Sequence, residues 1–165
     1  MSRVWLSQYP HGVAADVPVD VYPSLVQLID QALSTHATKD AYVFMGKRYT
    51  FAQIDGWSRA MAGYLQGLGL EPGDRVAVMM PNVPQYPVAV AGIIAATLQQ
   101  VIANVPTRHV VLAAMGDLLG VVKGLIVNYV VRHRRKMVPA YSLPQAVPFK
   151  EAMAQGGGRR VTPPP

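Results

Sequence analysis

The sequence predicts an α/β fold, and three observations lead to this class. Segments with apolar residues at helical spacing alternate with short apolar runs rich in residues that favour strands. Hydrophobic residues make up 51% of the 165 residues, which is enough to bury a core. The 14 Gly and 14 Pro divide the chain with many turns, as expected of an interrupted fold. Strands that alternate with helices are typical of α/β proteins, and the length allows one domain or two small ones.

The first predicted helix follows an extended lead-in at residues 1–23, which prolines punctuate. Ser24 is a favourable N-cap, and Gln27 three residues later completes the spacing of a capping box. Five apolar residues then recur at helical spacing and predict one buried stripe: Leu25, Leu28, Ile29, Ala32 and Leu33.

A hairpin and a second helix come next. Residues 41–45 and 48–50 read as two strands joined by a turn at Gly46 and Lys47. Thr50 and Gln53 repeat the capping-box spacing, so a helix is expected over residues 51–68, before the helix stop at Gly69. The predicted core face of this helix consists of Ile54, Trp57, Met61, Tyr64, Leu65 and Leu68.

The later elements are predicted from the same signals. Residues 75–80 read as a buried strand, and a third helix is expected from about Asn82 to residue 96. A strand at residues 110–113 and a long helix at 117–137 follow. Loops with Pro139, Pro144 and Pro148 lead to a flexible, Gly- and Pro-rich tail at residues 151–165.

The charge is unevenly distributed. The formal net charge of +6 comes from 15 Lys and Arg against 9 Asp and Glu. Residues 1–107 contain six bases and seven acids, whereas residues 108–165 contain nine bases and two acids. Such asymmetry indicates an anionic partner, or a basic patch that acidic segments balance in a longer protein.

Several classes of chemistry are excluded. The absence of Cys rules out disulfides, Cys-bound zinc and a thiol nucleophile, and the composition suits the cytoplasm. No apolar run opens the chain, so no signal peptide is expected. There is no Gly-x-Ser-x-Gly elbow and no Gly-x-x-x-x-Gly-Lys-Ser/Thr phosphate loop. The glycines at 156–158 lack the strand and helix of a phosphate cradle, and the histidines are too scattered for a metal site: His11, His36, His109 and His133.

One stretch carries a candidate surface. Residues 118–131 are apolar apart from Lys123 and Asn128, and five basic residues follow at once. Three interpretations stay open: a transmembrane span, an interfacial helix on anionic lipid, and a packed helix whose basic end complements its dipole. The small residues Gly116, Gly120 and Gly124 at four-residue spacing allow close helix approach. No nucleic-acid module surrounds this patch, so no nucleic-acid partner is expected. The residues offered to lipid are Arg132, Arg134, Arg135 and Lys136.

The sequence also carries a resemblance. YTFAQIDGWSRAMAGYLQGLGLEPGDRVAVMMPN at residues 49–82 resembles the N-terminal region of adenylate-forming enzymes. VWLSQYPHGVAADV (4–17), NVPQYPVAVAGII (82–94) and the run at 108–149 look like the bacterial long-chain fatty-acid–CoA ligases. The resemblance implies that residues 24–150 are a partial N-terminal subdomain of that fold, with an incomplete sheet.

The resemblance implies an activity that this chain does not hold. The family uses ATP and Mg²⁺ to activate a fatty acid as an acyl-adenylate and then transfers the acyl group to CoA. Near residues 96–99 a βαβ piece of roughly forty residues is expected to be missing. The family's phosphate loop, adenine segment, Mg²⁺-linked Glu, ribose-binding Asp and catalytic Lys match nothing here, so no catalytic, cofactor-binding or metal residue is assigned.

We therefore expect a fragment that is inactive by itself and binds no cofactor; fatty acid, ATP and CoA are partners of the full-length family only. Two alternatives are a peripheral membrane-binding module built on residues 117–137 and a non-functional truncated product. The expected location is cytoplasmic, peripheral to the inner membrane face.

Overall fold

The structure is a computed structural model that describes residues 3–16, 21–70, 74–96, 109–135, 137–138 and 146–161. A 3-10 helix at Val4–Gln8 precedes the main elements. The strands are β1 Asp40–Phe44, β2 Lys47–Thr50, β3 Val110–Leu112 and β4 Ala146–Pro148. The helices are α1 Leu25–Thr35, α2 Phe51–Gly67, α3 Gln85–Ala96, α4 Val121–Tyr129 and α5 Phe149–Gly156.

The starts of α1 and α2 confirm the predicted caps. The Ser24 hydroxyl accepts the Gln27 backbone N–H at 3.2 Å. At α2 both bonds of the capping box form: the Thr50 hydroxyl accepts the Gln53 N–H at 3.3 Å, and the Gln53 side chain accepts the Thr50 N–H at 3.0 Å. Each cap satisfies backbone N–H groups that the first helical turn leaves unpaired, which fixes where each helix begins.

The hairpin forms one residue away from the predicted turn. Strands β1 and β2 pair antiparallel, and Phe44 faces Lys47 across a two-residue turn of Met45 and Gly46. Both turn residues have positive φ, 49° and 74°, as a type I′ turn requires. Glycine adopts this conformation without a steric penalty, so Gly46 sets the position of the turn.

The core surrounds α2. Its predicted face is confirmed, since Ile54, Met61, Tyr64 and Leu65 are buried and Trp57 and Leu68 pack against them. Helices α3 and α5 both pack against α2. Phe149, the first residue of α5, is completely buried in this core. Helices α2 and α5 approach most closely at Gly156, where a Cβ atom on this glycine would overlap the Ala60 carbonyl oxygen.

A second sheet contains a strand that the sequence did not predict. Strands β3 and β4 pair in parallel, with Val110 opposite Ala146 and Leu112 opposite Pro148. Pro148 was predicted in a loop but ends β4 and serves as the N-cap of α5. A proline is tolerated at this place because the strand ends there and the helix needs no N–H from it.

The structure does not confirm the strand that was expected at residues 75–80. These residues alternate between exposed and half-buried, as a strand would, but belong to neither two-stranded sheet, and Met79 is 96% exposed. A strand is held by hydrogen bonds to a neighbouring strand, and neither sheet of the described residues extends to this segment.

The predicted tail is also corrected. The prediction of a flexible segment from residue 151 is wrong for residues 151–156, because these residues complete α5 and bury Ala152 and Gly156 against α2. At the other end of the chain, the lead-in is not extended throughout, because residues 4–8 form the 3-10 helix. The Gly-Pro composition misled the prediction since one glycine of the tail serves close packing rather than flexibility.

The predicted helix at 117–137 starts too early. Gly120 has a φ of 91°, which no right-handed helix accommodates, and α4 therefore begins at Val121. Residues 114–119 form a separate turn before it, which we call the α4 turn. After Tyr129 the chain continues as one π-helical turn at Val130–Arg134.

Candidate functional site

Helix α4 presents its apolar face to solvent. Its exposed apolar side chains fall at positions i, i+1, i+4, i+5, i+8 and i+9, which is one face of a helix. Exposure reaches 76% at Val121 and 67% at Leu125. We call this surface the α4 apolar face: Val121, Val122, Leu125, Ile126, Tyr129 and Val130.

The inward side of α4 carries Gly124, Asn128 and the half-buried Val127, and the exposed Lys123 lies at its edge. The Asn128 side-chain oxygen accepts the backbone N–H of Gly116 at 2.8 Å, and the Lys123 ammonium donates to the backbone carbonyl of Met45. Gly124 lies against Gly116 so closely that a Cβ on Gly124 would meet the Gly116 carbonyl oxygen at 2.5 Å. The helix is therefore fixed to the rest of the chain through polar bonds and a glycine contact, which directs its apolar face outward.

The α4 turn is tied to the hairpin. The Leu118 carbonyl accepts hydrogen bonds from the Lys47 ammonium at 2.6 Å and from the Tyr49 hydroxyl at 3.2 Å. The Lys47 ammonium also lies 5.1 Å from the centre of the Tyr49 ring, within cation–π range. These bonds hold the start of α4 beside the hairpin turn.

Asp117 closes the same turn. Its carboxylate accepts the backbone N–H of Ala114 at 2.7 Å. Partial burial raises the pKa of this carboxyl, while the Ala114 N–H and the charge of Lys150 oppose the rise. The Gln85 side chain donates to the Ala114 carbonyl at 2.9 Å, so the turn also holds the start of α3.

The basic end of α4 is exposed. Arg132, Arg134 and Arg135 all lie on the surface, and the His133 ring lies 5.0 Å from the Tyr129 ring. Lys136, the fourth residue offered to lipid, lies outside the described residues. The structure thus brings three of the four predicted basic residues to the end of the α4 apolar face. None of the described helices is long and apolar enough to cross a membrane.

An apolar groove lies elsewhere, between α1, β1 and α3. Its volume is about 670 Å³, and Leu33, Phe44, Ile54 and Val83 are among its lining residues. Its lining includes no charged side chain. The groove therefore offers apolar contact without a group that would orient a charged substrate.

The described residues do not fit ATP with Mg²⁺. No three of their His, Asp and Glu side chains come together as a metal site. The glycines at 156–158 end a helix instead of opening one, so their backbone N–H groups form no phosphate cradle at a helix start. No catalytic step is derived from this part of the chain.

Sequence reasoning missed the residues that orient α4. Lys123 and Asn128 were noted only as interruptions of an apolar run, although they are the residues that bond inward. The glycine spacing gave the right signal, because Gly116 and Gly124 do approach closely. The contact joins a turn to a helix, however, whereas the glycine spacing alone indicated an approach between two helices.

Comparison with known proteins gives the family. The profile for "AMP-binding enzyme" matches residues 29–115. The long-chain-fatty-acid–CoA ligase of Salmonella typhimurium is 39% identical over 193 residues, which takes in 94% of this chain and 34% of that protein. The ligase of the same name from Haemophilus influenzae is 34% identical over 201 residues, with 99% of this chain and 36% of that protein covered. This chain spans about a third of the length of these curated relatives.

The same matches contain more positions than this chain has residues. The Salmonella match extends over 193 positions but uses only 94% of 165 residues, so roughly forty positions have no residue here. The Haemophilus match, over 201 positions and 99% of the chain, leaves about as many positions without a residue. This total agrees with the predicted loss of a βαβ piece, whereas the loss as a single piece near residues 96–99 stays a prediction.

A more distant relative extends the comparison. Triostin synthetase I of Streptomyces triostinicus is 38% identical over 72 residues, which cover 44% of this chain. No solved structure matches the chain. The profile match over more than half of the residues nevertheless assigns the sequence, and this chain belongs to the family of AMP-binding enzymes.

Proposed function

We propose that this chain is the N-terminal portion of a long-chain fatty-acid–CoA ligase, carrying part of its scaffold and none of its chemistry. The observation that supports this most directly is the 39% identity to the Salmonella ligase across 94% of the chain. The buried core around α2 supports a role of this chain in the scaffold.

The reaction belongs to the whole enzyme. There a fatty acid is activated with ATP and Mg²⁺ and passed to CoA. We propose that this chain by itself binds none of these, because the family's phosphate loop, adenine segment and Mg²⁺-linked Glu match nothing in its sequence. We propose a cytoplasmic location at the inner membrane face, with Arg132, Arg134, Arg135 and Lys136 toward anionic lipid.

A pair of chimeras tests the assignment. This chain replaces the aligned third of the Salmonella ligase, once as it stands and once with the relative's missing segment inserted. We expect palmitate- and CoA-dependent AMP release from the filled chimera and none from the unfilled one. The purified chain alone is expected to release none.

The matched control is the unaltered Salmonella ligase under the same assay. AMP release from this chain alone would contradict its role as an inactive portion. A filled chimera that folds cooperatively but releases no AMP would contradict the assignment to this ligase.

A further inference from the structure

We propose that α4 lies in the plane of an anionic membrane surface, with the α4 apolar face inserted below the headgroups and the arginines at its end bound to them. This inference deepens the peripheral location proposed above and rests on it. It adds a mode of contact: insertion of a preformed helix face, in addition to attraction between charges.

The first argument is the inverted orientation of α4. A surface helix of a globular protein turns its apolar stripe toward the core. Here Gly124, Asn128 and the half-buried Val127 lie on the inward side, Lys123 bonds to Met45 from an exposed position, and six apolar side chains face solvent. Contiguous exposed apolar surface of this kind marks an interaction site rather than an ordinary protein surface.

The second argument is charge. The π-helical turn adds Arg132 and Arg134 directly after the apolar face, and Arg135 follows, all exposed. No acidic residue occurs between Asp117 and the end of this basic run. A helix with a large apolar face and an arginine-rich end, without acids, is complementary to anionic lipid, whose headgroups lie just above the acyl chains.

The third argument is the place of Tyr129. It lies where the apolar face meets the arginines, and its ring contacts His133. Tyrosine is enriched at membrane–water boundaries because its ring prefers the apolar side and its hydroxyl the wet side. A protein partner would equally cover an apolar face, but it would not require this order of apolar, aromatic and basic residues.

The experiment measures co-sedimentation of the 165-residue chain with phosphatidylglycerol vesicles and with phosphatidylcholine vesicles. We expect binding to the former, weakened but not abolished by high salt, because salt screens the arginines and leaves the apolar contact. Replacing Arg132, Arg134 and Arg135 together by Gln is expected to weaken binding about a hundredfold, because each arginine contributes about a fivefold change.

The apolar contact is tested separately. The double variant Leu125→Ala/Ile126→Ala is expected to weaken binding at least about tenfold and to abolish the salt-resistant part. Its control is Val43→Ala/Met79→Ala, which removes exposed apolar groups elsewhere and should leave binding unchanged. Arg160→Gln, at an exposed arginine outside α4, is the control for charge. All of these positions are exposed, so thermal unfolding should remain that of the unaltered chain.

Four outcomes overturn the proposal. Binding that high salt abolishes and that Leu125→Ala/Ile126→Ala leaves unchanged means attraction between charges only, and the peripheral location stands. No binding to either vesicle refutes both the insertion and that location. A dimer of this chain that Leu125→Ala/Ile126→Ala dissociates means that the α4 apolar face binds a second copy of the chain. Loss of vesicle binding in the filled chimera means that the rest of the enzyme covers the α4 apolar face. AMP release by the same chimera reports separately on the ligase assignment.

Discussion

Helices α2 and α4 are both rich in apolar residues, yet they place them oppositely. Helix α2 buries Ile54, Met61 and Leu65 between α3 and α5, whereas α4 exposes an apolar face of similar character. The difference lies in the contacts that fix each helix. Helix α2 is held by its apolar packing, and α4 is held by Asn128, Lys123 and a glycine contact on its polar side. The apolar content of a helix therefore does not by itself predict which way its apolar face points; the contacts on its other side must be known as well.

The largest expected contrast compares one large side chain from each region. Phe149→Ala removes a completely buried ring from the core around α2 and should lower the free energy of unfolding by about 3–5 kcal/mol. Leu125→Ala removes a side chain that is 67% exposed on α4 and should change it by less than about 0.5 kcal/mol. Urea denaturation measures both values.

Phe149→Leu serves as the milder variant if the alanine variant no longer unfolds cooperatively. Equal effects of Phe149→Ala and Leu125→Ala would show that α4 is covered in solution and would break the comparison.

The next contrast uses two glycines: Gly156, which packs against α2, and Gly56, which belongs to α2 and is exposed. Gly156→Ala places a Cβ against the Ala60 carbonyl oxygen, and the backbone of α5 must move away. We expect a loss of about 1–3 kcal/mol, or more where the shift propagates. Gly56→Ala lies in the exposed middle of α2 with nothing within 4 Å of the new Cβ, and it should stabilise by about 1 kcal/mol.

Thermal unfolding followed by circular dichroism distinguishes these two signs. A neutral Gly156→Ala would mean that α5 does not dock on α2 as described.

The smallest contrast concerns the α4 turn. The raised pKa of Asp117 means that the folded chain holds its proton at higher pH than the unfolded chain, whose carboxyl has a pKa near 3.8. Stability from this group therefore rises as the pH falls through the folded pKa toward 3.8 and is lost as the pH rises. Asp117→Asn keeps an acceptor for the Ala114 N–H and should remove this dependence.

The change is well under about 1 kcal/mol because Asp117 is only partly buried and solvent screens it. Urea midpoints between pH 4 and pH 7 measure it, with Asp55→Asn as the matched control on α2. A steeper rise of stability with falling pH in Asp117→Asn than in the unaltered chain would contradict the sign.

The local parts of the fold follow from the sequence, and the long-range parts do not. Ser24, Thr50 and Gln53 define helix starts through bonds within four residues, so their spacing alone predicts them. Strand β4 becomes a strand only because β3 lies beside it, and Pro148 gives the opposite local signal. Gly156 reads as flexible until α2 is placed against it. At the candidate site, sequence predicted the basic cluster, while the hydrogen bonds of Lys123 and Asn128 depend on the distant residues Met45 and Gly116.

The docking of α5 on α2 has a consequence for how the chain folds. Ala60 and Gly156 are roughly a hundred residues apart, so closing this contact costs more chain entropy than forming the hairpin or joining α1 to α2. We therefore expect the hairpin and α2 to form from neighbouring residues first and Phe149 to enter the core last. During synthesis the apolar side of α2 that α5 covers stays in water until α5 has been made. Aggregation of the nascent chain is expected to start from that side of α2.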